Sequence, residues 1–360
     1  MNIVVKKFTF IAQIIVLLLY TSVIYGVEFP PNWPWRGVVV HSCCGDVNKH
    51  DVATLSSYGV NAIVLNIKSR FRAKKLNEKP EVAWEESLKW VDKMLDACKD
   101  HGLVGIVRLT KLPLDPKSGI KEHSPEFWDE NMRWKEATKL AGVLAERYST
   151  RGNELGAYAI LTEPTLRIKN KVFKPPKWDE IQGEIITAIR HYDKNRYIVV
   201  TPAPGGLPQN YRNFKPINDL AIIYGAHMYA PHSYTHQGIS GRAKDVDYPG
   251  HVNFQFWNKE KLNNQLKGLT SFQNKHNALI WIGEFGVVRY APGADQYLLD
   301  LIDIFDSHKL AWTYFSYKAN PLWDFRKKIK IKAGWPENVR KAASISNSKT
   351  FEILNNAWGK

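Results

Sequence analysis

Cysteine is scarce in this chain. Its 360 residues hold three, Cys43, Cys44 and Cys98, too few for the disulfide framework of a small stapled domain. The adjacent pair Cys43–Cys44 lacks metal-ligand spacing and reads as semi-buried thiols, with a vicinal disulfide as the alternative. No Gly/Ser or Pro/Thr tract divides the chain, which argues against separate domains on a flexible linker. Phosphate-loop, dinucleotide and zinc signatures are missing, so no cofactor and no metal are expected. His232 and His236, in "APHSYTHQG", have no carboxylate or thiol to complete a metal set and read as loop hydrogen-bonders. Acid is also in short supply: 35 Asp and Glu stand against 50 Lys and Arg, for a net charge of +15. Basic charge without a recognised binding motif argues against nucleic acid as a partner.

What is present begins with residues 1–26. Lys6 and Lys7 precede an apolar run, "IAQIIVLLLYTSVIYG", that ends on Gly26. A positive start and an apolar stretch closing on a small residue are the pattern of a cleaved signal peptide. An uncleaved membrane anchor is the competing reading, because the apolar stretch is long for a signal. No cysteine follows Gly26, so a lipid-modified N-terminus is not expected. The expected mature protein, 27–360, carries +13, is exported, keeps no stable membrane partner and is a monomer.

In 27–360 short apolar runs recur: "RGVVVHS" (36–42), "VNAIVLNI" (60–67), "LVGIVRLT" (103–110), "AYAILTE" (157–163), "YIVVTPA" (197–203), "AIIYGAHMY" (221–229), "LIWIGEFG" (279–286) and "LAWTYFSY" (310–317). They are mostly continuous rather than alternating, as parallel strands covered on both faces are. Helical spacing falls between them, over 84–102, 124–148, 178–192, 259–276, 294–308 and 338–358. Eight strands interleaved with helices predict a single-domain α/β fold, a (β/α)8 TIM barrel. A two-domain doubly wound fold is the alternative, but no composition break divides it.

Barrel topology explains two misplaced carboxylates. Glu163 closes the fourth apolar run and Glu284 the seventh. A carboxylate in a dry core is costly, but strand C-termini in such barrels open onto the active-site face. Strands four and seven lie on opposite sides of an eight-stranded barrel, so Glu163 and Glu284 can face each other across its mouth. A carboxylate pair about 5 Å apart suits retaining glycoside hydrolysis, one attacking the anomeric carbon and the other serving as acid and then base. Mutual repulsion is expected to raise the pKa of one. The bland alternative is that each Glu merely meets a nearby Lys or Arg.

With these motifs in place, the chain resembles a family 5 glycoside hydrolase, the cellulase-like retaining barrels of the four/seven superfamily, as a divergent member. "TEP" resembles the family's Asn-Glu-Pro and implies that Glu163 is the acid/base. "GEFG" implies that Glu284 is the nucleophile. "AHMY" resembles the family's His-x-Tyr, which implies that His227 lines the cavity near the acid/base and Tyr229 hydrogen-bonds the nucleophile. "AWTYFSYK" resembles the segment that ends in an aromatic floor, here Phe315 where the family has Trp. Thr162 stands where the family's Asn binds the sugar 2-hydroxyl. The family's inward Arg on strand two and His on strand three fall at about Val64 and Thr110, and Arg108, of the same parity as Thr110, is the expected stand-in for the Arg. Trp312 has the opposite alternation to Phe315 and is expected to pack elsewhere. The implied function is retaining hydrolysis of a β-linked oligo- or polysaccharide. The alternatives are a catalytically silent glycan-binding barrel, which the departures favour, or another family of the same superfamily acting on an anionic glycan.

The basic residues gather after particular strands. Loop 68–80 has six basic residues and one acidic, 110–124 three and two, 164–177 five and none, and 318–333 six and one. Twenty against four exceeds the net charge of the whole mature chain. One reading is a positive rim that gathers an anionic glycan; the other is ordinary solvated loops. Trp257, Trp323 and Trp335 in the loops are candidates for extending the sugar site.

Overall fold

Eight parallel strands run in sequence order around a closed barrel. They are β1 (Arg36–His41), β2 (Ala62–Lys68), β3 (Val104–Lys111), β4 (Leu155–Ile160), β5 (Tyr197–Val200), β6 (Ile222–Met228), β7 (Leu279–Phe285) and β8 (Ala311–Tyr314), with β8 pairing back onto β1. This computed structural model describes residues 29–43, 46–129, 133–169, 171–239, 242, 244–328, 337–344, 346 and 348–359. The expected signal segment 1–26, Cys44 and Trp335 lie outside the described residues. Pro31 to Lys360 form one compact unit, the barrel predicted from the eight apolar runs.

The strands have little room for polar side chains. All six residues of β4 and all seven of β6 are buried. Inside the barrel, Val39, Val64, Ile106, Ala157, Val199 and Ile223 form a dry layer above Trp35 and Trp281, whose rings meet edge to face at 5.9 Å. The other face of each strand packs against the helices in a second, larger core. Trp312 belongs there, buried against Phe285, as its alternation predicted.

The helices show how capping and periodicity select the outer layer. They are α1 (Lys49–Ser57), α2 (Ser69–Leu76), α3 (Pro80–Asp100), α4 (Lys135–Tyr148), α5 (Trp178–Tyr192), α6 (Lys259–His276), α7 (Ala294–Ser307), α8 (Glu337–Ser344) and α9 (Ser348–Trp358). In α3, Pro80 occupies the first turn and Trp84, Leu88, Val91, Leu95 and Cys98 are buried at helical spacing. Three predictions need correcting. The helix expected over 124–148 is interrupted: a short turn, Pro125–Trp128, ends at extended Asp129, and α4 starts at Lys135. Trp128 leaves that turn to donate its indole N–H to the carbonyl of Thr165 at 3.0 Å. The helix expected over 338–358 is two, α8 and α9, with Ser346 in neither. Part of the expected basic loop 68–80 is α2, ended by left-handed Asn77.

The thiol reading also changes. Cys43 is disulfide-bonded, whereas Cys98 is a free, buried thiol. Burial in α3 pushes the Cys98 thiol up to about 12, so it stays protonated.

Candidate active site

Glu163 reaches the mouth by a break in the backbone rather than by ending a strand. β4 stops at Ile160, three residues earlier than predicted. Leu161 then adopts a left-handed conformation, φ 51°, while its N–H donates to the carbonyl of Leu109 at 3.0 Å. This turns Thr162 and Glu163 out of the ladder. Glu163 Oε1 lies 2.8 Å from His227 Nδ1, and its side chain is 58% exposed to the cleft.

Glu284 is held more tightly. The β6–β7 register shifts between Ile282 and Glu284, and such an irregularity re-aims a side chain. Its Oε1 accepts from Arg108 Nη2 at 2.5 Å and its Oε2 from the Tyr229 hydroxyl at 3.0 Å. Burial, then the Glu284 and Glu163 charges, push the Tyr229 phenol well up, so it remains a donor. Arg108 is fully buried, and its Nε and Nη1 have no hydrogen-bond partner among the described residues. A buried cation of this kind demands a counter-charge, and Glu284 supplies it.

The two carboxylates converge. Ligand atoms of Glu163, His227 and Glu284 all lie within 4.8 Å of one another. A cation could in principle use that trio, but both oxygens of Glu284 already accept hydrogen bonds from Arg108 and Tyr229. Repulsion was expected to raise the pKa of one carboxyl. Glu163 moves the other way. Desolvation by the cleft walls around its inner end pushes it up, but the hydrogen bond and charge of His227, followed by the charges of Lys111 and Arg108, outweigh this and hold it well below the usual carboxylate range.

The remaining expected residues fall into three groups. Thr162, Thr110 and Phe315 line a cavity of about 220 Å³ beside the pair; Thr162 Oγ1 is buried without a partner among the described residues. Phe315 meets the ring of His41 at 5.6 Å. Burial, then Lys68 and Arg108, hold the His41 imidazole well down, hence neutral. Trp323 does not face the cavity: it is buried behind Phe315, 6.0 Å away, and against His236. Trp257 is also buried. Val64 belongs to the closed barrel core, one inward position below the site. The strand-two residue level with Arg108 is Asn66, whose Oδ1 accepts from the Thr110 hydroxyl at 2.8 Å. His232 and His236 stack at 3.8 Å, and His236 exchanges a hydrogen bond with Thr235 at 3.0 Å.

Several cavity residues were not singled out in the sequence: Lys68, Lys111, Glu122 and Arg167 were counted only as loop charge, and His123 not at all. Lys68 carried the available signal, since it ends β2 much as Glu284 ends its own strand. Glu122 was counted as loop charge, but it is buried, accepts from Leu112 N at 2.9 Å, and pairs with Arg70 at 3.1 Å and Lys111 at 3.3 Å.

An eight-stranded parallel barrel with two convergent glutamates at its C-terminal mouth defines the framework of a glycoside hydrolase. The model of the cellulase family, glycosyl hydrolase family 5, matches residues 25–321, and the chain belongs to that family. Among curated relatives, endoglucanase C of Acetivibrio thermocellus is 25% identical over 263 residues, 65% of this chain and 74% of that protein. A β-xylosidase of Phanerodontia chrysosporium is 23% identical over 74% of this chain and 56% of its own length. Among solved structures, Thermotoga maritima Cel5A in complex with cellobiose superposes with a TM-score of 0.66 at 17% identity, covering 89% of this chain and 97% of that one. The cellulose synthase subunit Z of Clostridioides difficile gives a TM-score of 0.65 at 16% identity, covering 89% and 99%.

Proposed function

We propose that the chain is a retaining β-glycosidase that cleaves a β-linked, glucan-type oligo- or polysaccharide by double displacement. The observation that carries this reading is the close approach of Glu163 and Glu284, within 4.8 Å at their nearest ligand atoms. That approach is nearer the roughly 5 Å of a retaining pair than the wider gap an inverting pair keeps for its water. The similarity to an endoglucanase and to Cel5A solved with cellobiose supports a β-glucan as the backbone.

Each side chain then has a step. Arg108 and Tyr229 fix Glu284 as an ionised nucleophile. Its oxygen bonds to the anomeric carbon as the glycosidic C–O bond breaks, and Glu163 gives its proton to the departing oxygen. Water then attacks the same carbon, Glu163 takes the water's proton, and Glu284 is released. Glu163 must therefore be protonated when sugar arrives. A sugar covering its open face adds to the desolvation that already opposes the lowering. Phe315 offers the ring one apolar face. The apolar run with Lys6 and Lys7 before it supports export, and the protein acts as a monomer.

The test is the anomer first released from a β-glucan oligosaccharide, followed by proton NMR. The β-anomer is expected first, and early α-anomer would overturn the retaining reading. Glu284→Gln and Glu163→Gln run alongside. Glu284→Gln is expected to abolish turnover, and Glu163→Gln to lower it about 10²- to 10⁴-fold on poor leaving groups. Glycan binding without turnover in all three proteins would instead make this a silent binding barrel.

A further inference from the structure

The cavity beside the carboxylate pair is more cationic than hydrolysis of a neutral sugar needs. On its β2–β4 side the wall includes Lys68, Lys111, His123 and Arg167. The charges there can be assigned by partner. Arg108 is matched by Glu284. Arg70 and Lys111 share the single carboxylate of Glu122. Lys68 and Arg167 have no carboxylate partner among the described residues, although both face the cavity. Five cations thus stand against Glu122, Glu163 and Glu284. The surplus is two, and it becomes three when Glu163 carries its catalytic proton.

The backbone behind these cations is constrained, while the Arg167 side chain itself is exposed at the cavity rim. Lys68 is the last residue of β2, and its backbone N–H donates to Ser42 Oγ at 3.0 Å. Arg167 sits in a short antiparallel hairpin between Leu166–Ile168 and Lys171–Phe173, and its N–H donates to the carbonyl of His123 at 2.7 Å. Burial, followed by the charges of Lys111, Arg167 and Lys121, holds His123 down. It is therefore a neutral side chain between cations, with hydrogen bonds to offer. Trp128 closes the same wall, anchored to the carbonyl of Thr165. Unmatched cations in a partly enclosed, preorganised cavity favour an anion over water far more than cations on an open surface do.

We propose that this side of the cleft is a subsite for an anionic group on the glycan, a sugar-borne carboxylate or ester anion, held by Lys68 and Arg167 next to the bond being cut. The proposal rests on the hydrolase reading for its catalytic consequence, but not for the binding itself. Lys68 supplies a point charge near the carboxylate pair, and Arg167 supplies a planar fork that suits two anionic oxygens. A neutral sugar leaves both cations to water, so the anionic substituent gains affinity that the neutral ring lacks.

The probes are carboxymethylcellulose and hydroxyethylcellulose of matched chain length and substitution, which share a β-glucan backbone and differ in the charge of the substituent. Cellulose sulfate distinguishes an ester anion from a carboxylate. Affinity electrophoresis reads binding, and reducing-end release reads turnover. Wild type is expected to favour an anionic polymer about tenfold, with the preference falling as salt rises. Lys68→Gln and Arg167→Gln are each expected to lower the anionic-to-neutral ratio of 1/Kd and of kcat/KM about tenfold. The control is Lys169→Gln, which removes an exposed charge from the same hairpin outside the cavity; it is expected to leave that ratio within twofold. An equal fall in Lys169→Gln would reduce the effect to rim steering and overturn the subsite, as would an unchanged ratio in both cavity variants. Anionic preference in binding without turnover would keep the subsite and remove the hydrolase. Turnover without preference would do the reverse.

Discussion

His227 is the largest influence that lowers the Glu163 carboxyl, and that makes the proposed acid/base role testable at a single residue. His227→Asn removes the hydrogen bond and charge that hold the Glu163 carboxyl down. Its pKa therefore rises. Because kcat/KM falls as pH climbs through the free enzyme's general acid, the alkaline limb of the profile is expected to move to higher pH. A limb that stays in place would detach Glu163 from it. Lys68 offers a second titration. Burial, helped by Arg108 and Lys111 and opposed by Glu284 and Glu163, brings its ammonium down to about 8. Preference for carboxymethylcellulose over hydroxyethylcellulose is expected to be full below that pH and to fade as pH rises through it. The ratio of kcat/KM measured from pH 6.5 to 9.5 checks this. The two glutamates were legible because each closes an apolar run, Arg108 because its parity put it inward beside Thr110, and His227 and Tyr229 through the resemblance of "AHMY" to the family motif. Trp323 was not: a large aromatic in a loop after β8 can face sugar or plug the space behind Phe315, and its sequence neighbourhood is the same in both cases.

At the scale of elements, the site depends on how the loop after β5 braces its neighbours. Gly206 has φ 65°, and a Cβ there would stand 2.7 Å from the carbonyl oxygen of Thr162. Its own carbonyl accepts from His227 N at 2.9 Å. One residue thus packs against the segment carrying Glu163 while it is hydrogen-bonded to the strand carrying His227. Gly206→Ala is expected to destabilise the fold by about 1–3 kcal/mol, from left-handed strain and the clash together. Urea denaturation measures that loss, and kcat is expected to fall by more than the folded fraction does. No pattern in "YIVVTPAPGG" announces this, since two glycines after a strand read only as a turn. Strands and long amphipathic helices were legible because burial on both faces, or on one stripe, leaves a mark on composition. The break at Asp129, the division between α8 and α9 and the cationic helix α2 were not, since each depends on which partners the side chains find.

Across the whole molecule, stability and chemistry are stored at opposite ends of the barrel. Trp35→Ala empties the closed end, where the indole meets Trp281 and donates to the carbonyl of Pro31 at 2.9 Å. A loss of about 3–5 kcal/mol is expected, read as a lowered Tm, while KM at a temperature where the variant stays folded is unchanged. The overall architecture was legible because eight buried strands admit few closures. The sign of the Glu163 shift was not, because it is set first by His227 from β6 and then by Lys111 and Arg108 from β3. The fully buried Arg108 has one more consequence, for descent rather than for reaction. A lineage drifting from catalysis toward mere binding would gain nothing by discarding Glu284 first, since the stranded guanidinium would weaken the fold before any new role emerged. Arg108→Met combined with Glu284→Leu is accordingly expected to be more stable than Glu284→Leu alone. Selection on folding thus guards Glu284 even in generations when selection on hydrolysis is relaxed.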